Sequence, residues 1–267
     1  MSAREPKGTA HFLTSPKIPD AKGIFVMIQF TPVGDSGVLA VCGSVISEQV
    51  NAQVMALDAA VQAAQLPGVV ETVPTYAALL VTLDPLQTDA DTLIPALRRL
   101  WDALPPVSST AAGRLVEVPV CYGGDYGPDL AFVAQHAGLT EQQVIDIHCG
   151  RDYRIFMLGF LPGFPYLGGM DERIVCPRLQ TPRTKIPAGA VGIGGKQTGI
   201  YPLASPGGWQ LIGRTPLRLY DDRREKPILL RAVQYVKFVP ISPAEFDRIA
   251  AAVRDGRYEI VVRREVV

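Results

Sequence analysis

Histidine and cysteine are scarce in this sequence, and the few present are dispersed. Among 267 residues there are three histidines (His11, His136, His148) and four cysteines (Cys42, Cys121, Cys149, Cys176). None of the cysteines forms a CxxC pair, so neither a zinc ribbon nor a disulfide framework is indicated, and no metal site is expected. The thiols are read as reduced. An excess of either charge is also missing, because Lys+Arg and Asp+Glu each total 26. Without a net field the chain has no general attraction for nucleic acid or an anionic membrane surface. No apolar run approaches a membrane span, and the opening stretch lacks the continuous apolar core of a signal peptide. A cytoplasmic protein with an unstructured lead over residues 1–22 is expected.

What is present is 48% hydrophobic residues, enough for a real core. From 23 to 104 two periods alternate. IFVMIQF and GVLAVCG flank the turn signal TPVGDSG, and Val54, Leu57, Val61 and Ala64 recur at helical spacing ahead of Gly68. Strands follow at GVVETV and YAALLVTL. A second helix opening near Thr88, with Asp91 as its capping partner, buries Leu93, Leu97, Leu100, Trp101 and Leu104. The result is a ββαββα domain over 23–104.

Residues 105–113, PPVSSTAAG, read as a linker. The second domain, 114–267, begins with the strand RLVEVPV, a helix in GPDLAFVAQHAG and a short helix capped by Thr140 and Gln143. YRIFML, WQLIG, LRLY, ILLR and YVKFV then alternate with Gly/Pro-rich connections, the texture of a closed or nearly closed β barrel. Ser242, Pro243 and Glu245 open a last helix that buries Phe246, Ile249, Ala250 and Val253, and YEIVV supplies a final strand.

Four stretches could carry chemistry. GFLPGFPYLGGM, residues 159–170, combines four glycines, two prolines and three aromatics, which suits a shaped pocket wall containing Phe164 and Tyr166. GAVGIGGKQTG, 189–199, fails as a Walker loop: Ala190 stands where the first glycine belongs, and Gln197 follows Lys196. It reads as a glycine-rich barrel turn, with an anion nest around Lys196 as the weaker option. CPRLQTPRTKIPAG holds Arg178, Arg183 and Lys185 extended between prolines, where guanidinium groups can fork onto carboxylate or phosphate; solvated loop charges are the alternative. SPGGWQLIGRT sets Trp209 behind two glycines and Arg214 beyond it, as a pocket wall, a core residue or both. His148, before the first long barrel strand, can exchange a proton near neutral pH, although a lone histidine is more often structural. A Ser/His/Asp triad has no GxSxG elbow here, and the cysteines lack the setting of an activated thiolate.

The ordered set His148, PGFPYL, PR, PAG, Gln197-Thr198, IYP and SPGGW resembles the family of 5-oxoprolinase B subunits. That family is also described as KipI-type or allophanate hydrolase subunit 1, and a related module occurs in urea carboxylase. The resemblance runs from the GDSGVL turn to GRTP. It implies an α+β chain with a cyclophilin-like β barrel after the small domain. It further implies the 5-oxoprolinase C and A subunits as partners, with ATP as co-substrate, accompanied by Mg, in opening 5-oxoproline to glutamate. On this scheme His148, Arg178 and Arg183 are catalytic, and Phe164, Tyr166, Gln197, Thr198, Tyr201, Trp209 and Arg214 bind substrate. Lys185 and Lys196 bind phosphate. The family pattern often has serine where this chain has Ala190. Alternatives are an inhibitor that binds a sensor histidine kinase, a subunit processing urea or allophanate, and a prolyl isomerase, which would follow from the barrel alone.

Overall fold

The computed structural model describes residues 28–106 and 114–264, together with the short strands β1 (Ile18–Pro19) and β2 (Phe25–Val26), which pair antiparallel. The rest of the expected unstructured lead, and residues 107–113 of the expected linker, lie outside the described residues. The chain divides into two compact units, Met1–Ser109 and Thr110–Val267.

In the first unit β3 (Gln29–Pro32), β4 (Gly37–Val41), β5 (Val69–Pro74) and β6 (Ala78–Leu83) form an antiparallel sheet in the order β3-β4-β6-β5. Alternation along β6 sends Leu79, Val81 and Leu83 to the buried face. That face packs on helix α1 (Glu48–Ala64), through Val54, Leu57 and Val61, and on α2 (Ala90–Asp102), through Leu93, Leu97 and Trp101. Helix α2 starts one residue later than the Thr88 reading. Asp89 is its cap, and the carboxylate accepts the Thr92 N–H at 2.8 Å.

The second unit contains a closed barrel. Its strands are β7 (Leu115–Tyr122), β8 (Asp152–Leu158), β9 (Pro165–Gly168), β11 (Ala190–Gly194), β12 (Gln197–Ile200), β14 (Gln210–Arg214) and β15 (Tyr235–Pro240). The ring runs β14-β11-β12-β9-β8-β15-β7 and returns to β14, because β7 pairs parallel with β15 along most of its length and antiparallel with β14 at Cys121 and Tyr122. Closure leaves these seven strands without a free edge to aggregate. Strand β16 (Val262–Arg264) is added outside the ring on the first residues of β7, later than the YEIVV reading. Strands β10 (Arg183–Ile186) and β13 (Ser205–Gly207) make a separate two-stranded ribbon. Helices α3 (Leu130–Ala137), α4 (Glu141–Cys149) and α5 (Pro243–Arg254) complete the unit with a 3-10 turn at Glu172–Ile174. The capping box of Thr140 and Gln143 is formed in full. Of the stripe expected on α5, Ile249 is buried and the rest is half-buried.

Two barrel readings need correction. GAVGIGGKQTG is a hairpin of two buried strands, β11 and β12, turning at Gly195 and Lys196. LRLY and ILLR contribute no ring strand. Pro216, Pro227 and the charged run between them interrupt pairing, and the two segments meet at a single bridge, Tyr220 to Ile228.

Candidate active site

Arg183, the first residue of β10, is fixed by a carboxylate that the sequence reading overlooked. Its Nη2 donates to Asp129 Oδ1 at 2.7 Å, and its Nη1 donates to the Trp209 carbonyl at 3.4 Å. Asp129 stands at the N-cap position of α3 without capping it. Its carboxylate turns away from the helix, and Oδ2 accepts the Leu211 N–H at 2.6 Å, while the Asp129 N–H donates to the Leu211 carbonyl at 2.9 Å. The chain can lie this close to β14 because residue 127 is glycine; a Cβ there would overlap the Ile212 carbonyl. The available sequence signal was an aspartate before the helix in GPDL, which reads as an ordinary cap.

Beside this clamp lies a cluster of aromatic rings, separate from the main barrel core and comprising Phe164, Tyr201, Trp209, Ile186, Ala190 and Leu211, with Leu161 and Tyr166 against it. Phe164 is its hub, meeting Tyr166, Tyr201 and Trp209 edge-on at centroid distances of 5.2, 5.4 and 5.7 Å. The glycines of β11 and β12 make room for it. A Cβ on Gly194 would overlap the Trp209 indole, and one on Gly199 would sit 3.1 Å from both Phe164 and Trp209. The glycine-rich stretch is therefore a bed for rings. Its turn amide is committed as well, since the Gly195 N–H donates to the Cys176 carbonyl at 2.8 Å.

Arg178 places its guanidinium 5.8 Å from the Trp209 ring centroid. Burial raises the pKa of the Tyr201 phenol, and the charges of Arg178 and Arg183 oppose that rise. Arg178, Arg183, Tyr201 and Trp209 thus share one locality, with Phe164 and Tyr166 behind them. Two guanidinium groups over an apolar, ring-lined base are suited to a small molecule with a carboxylate or phosphate and an apolar body.

His148 lies elsewhere, in the core, with no exposed surface. Its ring stacks on Phe238 at 4.4 Å. The Thr198 hydroxyl donates to the Gly192 carbonyl at 3.1 Å, so its oxygen can accept from His148 Nε2, 2.9 Å away. Nδ1 then accepts from the Tyr122 hydroxyl at 2.7 Å, and that hydroxyl accepts from the Cys149 thiol at 3.4 Å. Every member donates in the same direction, from Cys149 through Tyr122, His148 and Thr198 to Gly192. Burial depresses the His148 pKa to about 3, so the ring is neutral at physiological pH. The proton-moving role expected for it finds no exposed atom, and the structure gives His148 the task of tying α4 to β7 and β12.

The remaining candidates are spread over the surface. Lys185 is exposed on β10, and Lys196 lies 3.8 Å from Glu172, with both side chains in solvent. Arg214 Nε donates to the Ala188 carbonyl at 3.0 Å, holding the turn before β11. Gln197 is half-buried at the hairpin. The GFLPG segment closes on itself, with the Gly159 N–H donating to the Phe164 carbonyl and the Phe164 N–H to the Leu161 carbonyl. It walls a shallow depression of about 330 Å³ whose other side is Ile228. Phe160 projects from it, 63% exposed, with φ 64°. Among the described residues no group of three or more His, Cys, Asp or Glu could hold a metal ion, and no helix is long and apolar enough to cross a membrane.

Comparison with known proteins gives the family of the chain. The family "Carboxyltransferase domain, subdomain C and D" matches residues 28–230. The 5-oxoprolinase B subunit of Bacillus subtilis (strain 168) is 44% identical over 230 residues, covering 83% of this chain and 96% of the relative. The 5-oxoprolinase B subunit of Escherichia coli O157:H7 is 51% identical over 178 residues, covering 66% and 79%. Among solved structures, TTHA0988 superposes with a TM-score of 0.68 at 37% identity, matching 81% of this chain and 40% of that longer chain. The Kluyveromyces lactis urea carboxylase superposes with a TM-score of 0.78 over 94% of this chain and 25% of that one; at 21% identity this is a likeness of fold. With residues 28–230 matched and relatives covered over most of their length, the chain belongs to the family of 5-oxoprolinase B subunits, within the carboxyltransferase-domain family.

Proposed function

We propose that this chain is the B subunit of an ATP-dependent 5-oxoprolinase and that its arginine–aromatic site holds the lactam while the amide oxygen is phosphorylated. The observation that carries the reading is the clustering of Arg178 and Arg183 around Tyr201 and Trp209. 5-Oxoproline is a small five-membered ring with one carboxylate and one amide. In this reading its carboxylate pairs with the guanidinium of an arginine that Asp129 has already oriented, beside the largely buried rings of Trp209 and Tyr201. An amide oxygen is a weak nucleophile, and phosphoryl transfer gains mainly from alignment and charge neutralisation, which the second guanidinium supplies. The oxygen attacks the γ-phosphorus as the bond to ADP breaks, one water then adds to the phosphorylated imidate so that the C–N bond breaks and leaves an acyl phosphate, and a second water hydrolyses that acyl phosphate to glutamate and phosphate.

The C and A subunits complete the reaction in this reading, and the naming of the relatives as B subunits supports an assembly of several chains. Magnesium arrives with the nucleotide. The test is co-expression with candidate C and A subunits, followed by 5-oxoproline-dependent ATP hydrolysis. Activity that needs this chain and disappears with Arg183→Gln supports the proposal. A complex that forms and turns over equally well without this chain refutes it.

A further inference from the structure

Cations and acids balance over the whole chain, yet one cleft of the second unit gathers cations. It has a volume of about 610 Å³ and lies between the start of β7, the segment from Leu217 to Gln234 and the end of α5. Seven cationic side chains line it against two carboxylates, Asp221 and Asp255. Both carboxylates are already engaged. Asp221 accepts from Arg223 through both oxygens, at 2.9 and 2.7 Å, and from Arg218 at 3.5 Å. Asp255 accepts from Arg257 at 2.6 Å and lies 4.0 Å from Arg254.

Arg114, Arg224, Lys226 and Arg231 have no carboxylate within ion-pair distance among the described residues. Arg224 is held in place without being neutralised. Its Nη2 donates to the carbonyls of Arg218 and Pro227 at 3.0 and 2.7 Å, while its Nε is a buried donor with no acceptor. Burial lowers its pKa, with Asp221 opposing and Arg218 reinforcing that shift. A guanidinium fixed in this way and short of anionic partners is the arrangement that accepts phosphate oxygens.

The cleft also has an apolar floor of Leu217, Leu229, Val253 and Tyr258. The carbonyl end of α5 carries partial negative charge and disfavours an anion beside Val253. An occupant would therefore lie with its anionic end on the 218–231 side and its organic end toward α5. The size and concavity are those of a small-molecule site.

We propose that this cleft binds a phosphate-bearing small molecule of nucleotide size, with its phosphates on Arg114, Arg224, Lys226 and Arg231 and its organic part over Leu217, Leu229 and Tyr258. It shares no lining residue with the arginine–aromatic site, so it stands apart from the function proposed above.

Isothermal titration of the full chain at physiological salt with adenosine triphosphate, inorganic tripolyphosphate and adenosine tests this. The triphosphate should bind with one-to-one stoichiometry, tripolyphosphate more weakly, and adenosine not measurably. Arg224→Gln should weaken the triphosphate by about tenfold or more, as should the exposed pair Arg114→Gln with Arg231→Gln. Arg178→Gln with Arg183→Gln should weaken the triphosphate far less than either cleft variant. A thermal melt of each variant establishes that it is folded. The proposal is overturned by absence of triphosphate binding, by affinity indifferent to both cleft variants, or by tighter capture of a polyglutamate peptide. If cleft variants bind nucleotide normally while activity of the complex reconstituted from all three chains still requires Arg183, this proposal alone fails.

Discussion

Arg183 and Asp129, fifty-four positions apart, meet at 2.7 Å, and the same carboxylate also receives the backbone amide of Leu211. One side chain thereby orients the arginine and stitches α3 to β14. Replacing Asp129 by alanine should leave that amide without its partner and cost about 1–3 kcal/mol in urea-induced unfolding. Asp129→Asn keeps an oxygen for Leu211 and removes the ion pair, so it should lose less stability and still disorder Arg183. Equal losses in the two variants would mean that the carboxylate matters through its charge alone.

The buried imidazole gives a pH prediction. His148 titrates near 6.5 in an unfolded chain and at about 3 in the fold. Between those values the unfolded state binds the extra proton, so stability is fully present above pH 6.5 and declines as the pH falls toward 3. The slope from this residue is about 1.4 kcal/mol per pH unit. Other groups titrate in the same range, so the measurement is the difference between wild type and His148→Gln in chemical unfolding from pH 7 to pH 4. Parallel curves would show that His148 is not shielded in the core.

Glycines 194 and 195 are adjacent but constrained for different reasons. Gly194 lies under the Trp209 indole, whereas a Cβ on Gly195 would meet open space in a backbone at φ 65°. Gly194→Ala should cost about 1–3 kcal/mol by overpacking, and Gly195→Ala about 1–2 kcal/mol from left-handed strain. Stability alone will not separate them. With Trp101→Phe removing the other indole, Gly194→Ala should shift the Trp209 emission and Gly195→Ala should leave it unchanged.

Such pairs indicate what could be read from the sequence. Period and caps located α1, α3, α4 and α5 and the alternating strands β6 and β15, while β4, β7, β8 and β14 were legible as short apolar runs bounded by turn residues. Strands β11 and β12 escaped notice because glycine leaves no apolar period, and their glycines answer to rings of Phe164 and Trp209 brought from elsewhere in the chain. LRLY and ILLR had the period of strands but lacked room between prolines. The grouping of Phe164, Tyr166, Tyr201, Trp209, Arg178 and Arg183 followed from the resemblance to a family; local pattern did not contain it. Asp129 carried no local signal of its role, because an aspartate before a helix normally caps it, and here the carboxylate makes no cap hydrogen bond. The basic cleft is invisible in composition, since its charges come from three separated segments of a neutral chain.

The sharpest functional test is an exchange of one cation for another. Arg183 spans two acceptors at once, Asp129 Oδ1 and the Trp209 carbonyl. A lysine keeps the charge but is a point donor on a flexible stem, and it cannot hold both while presenting a fork to substrate. In an assay reconstituted from all three chains Arg183→Lys should therefore raise the KM for 5-oxoproline by about tenfold or more, a loss of roughly 1.4 kcal/mol in substrate binding. Arg178 lies over the Trp209 face, and a lysine there retains the cation–π attraction. Arg178→Lys should consequently be the milder change. If both lysine variants behave like wild type, the substrate carboxylate is not held by an arginine fork at the arginine–aromatic site.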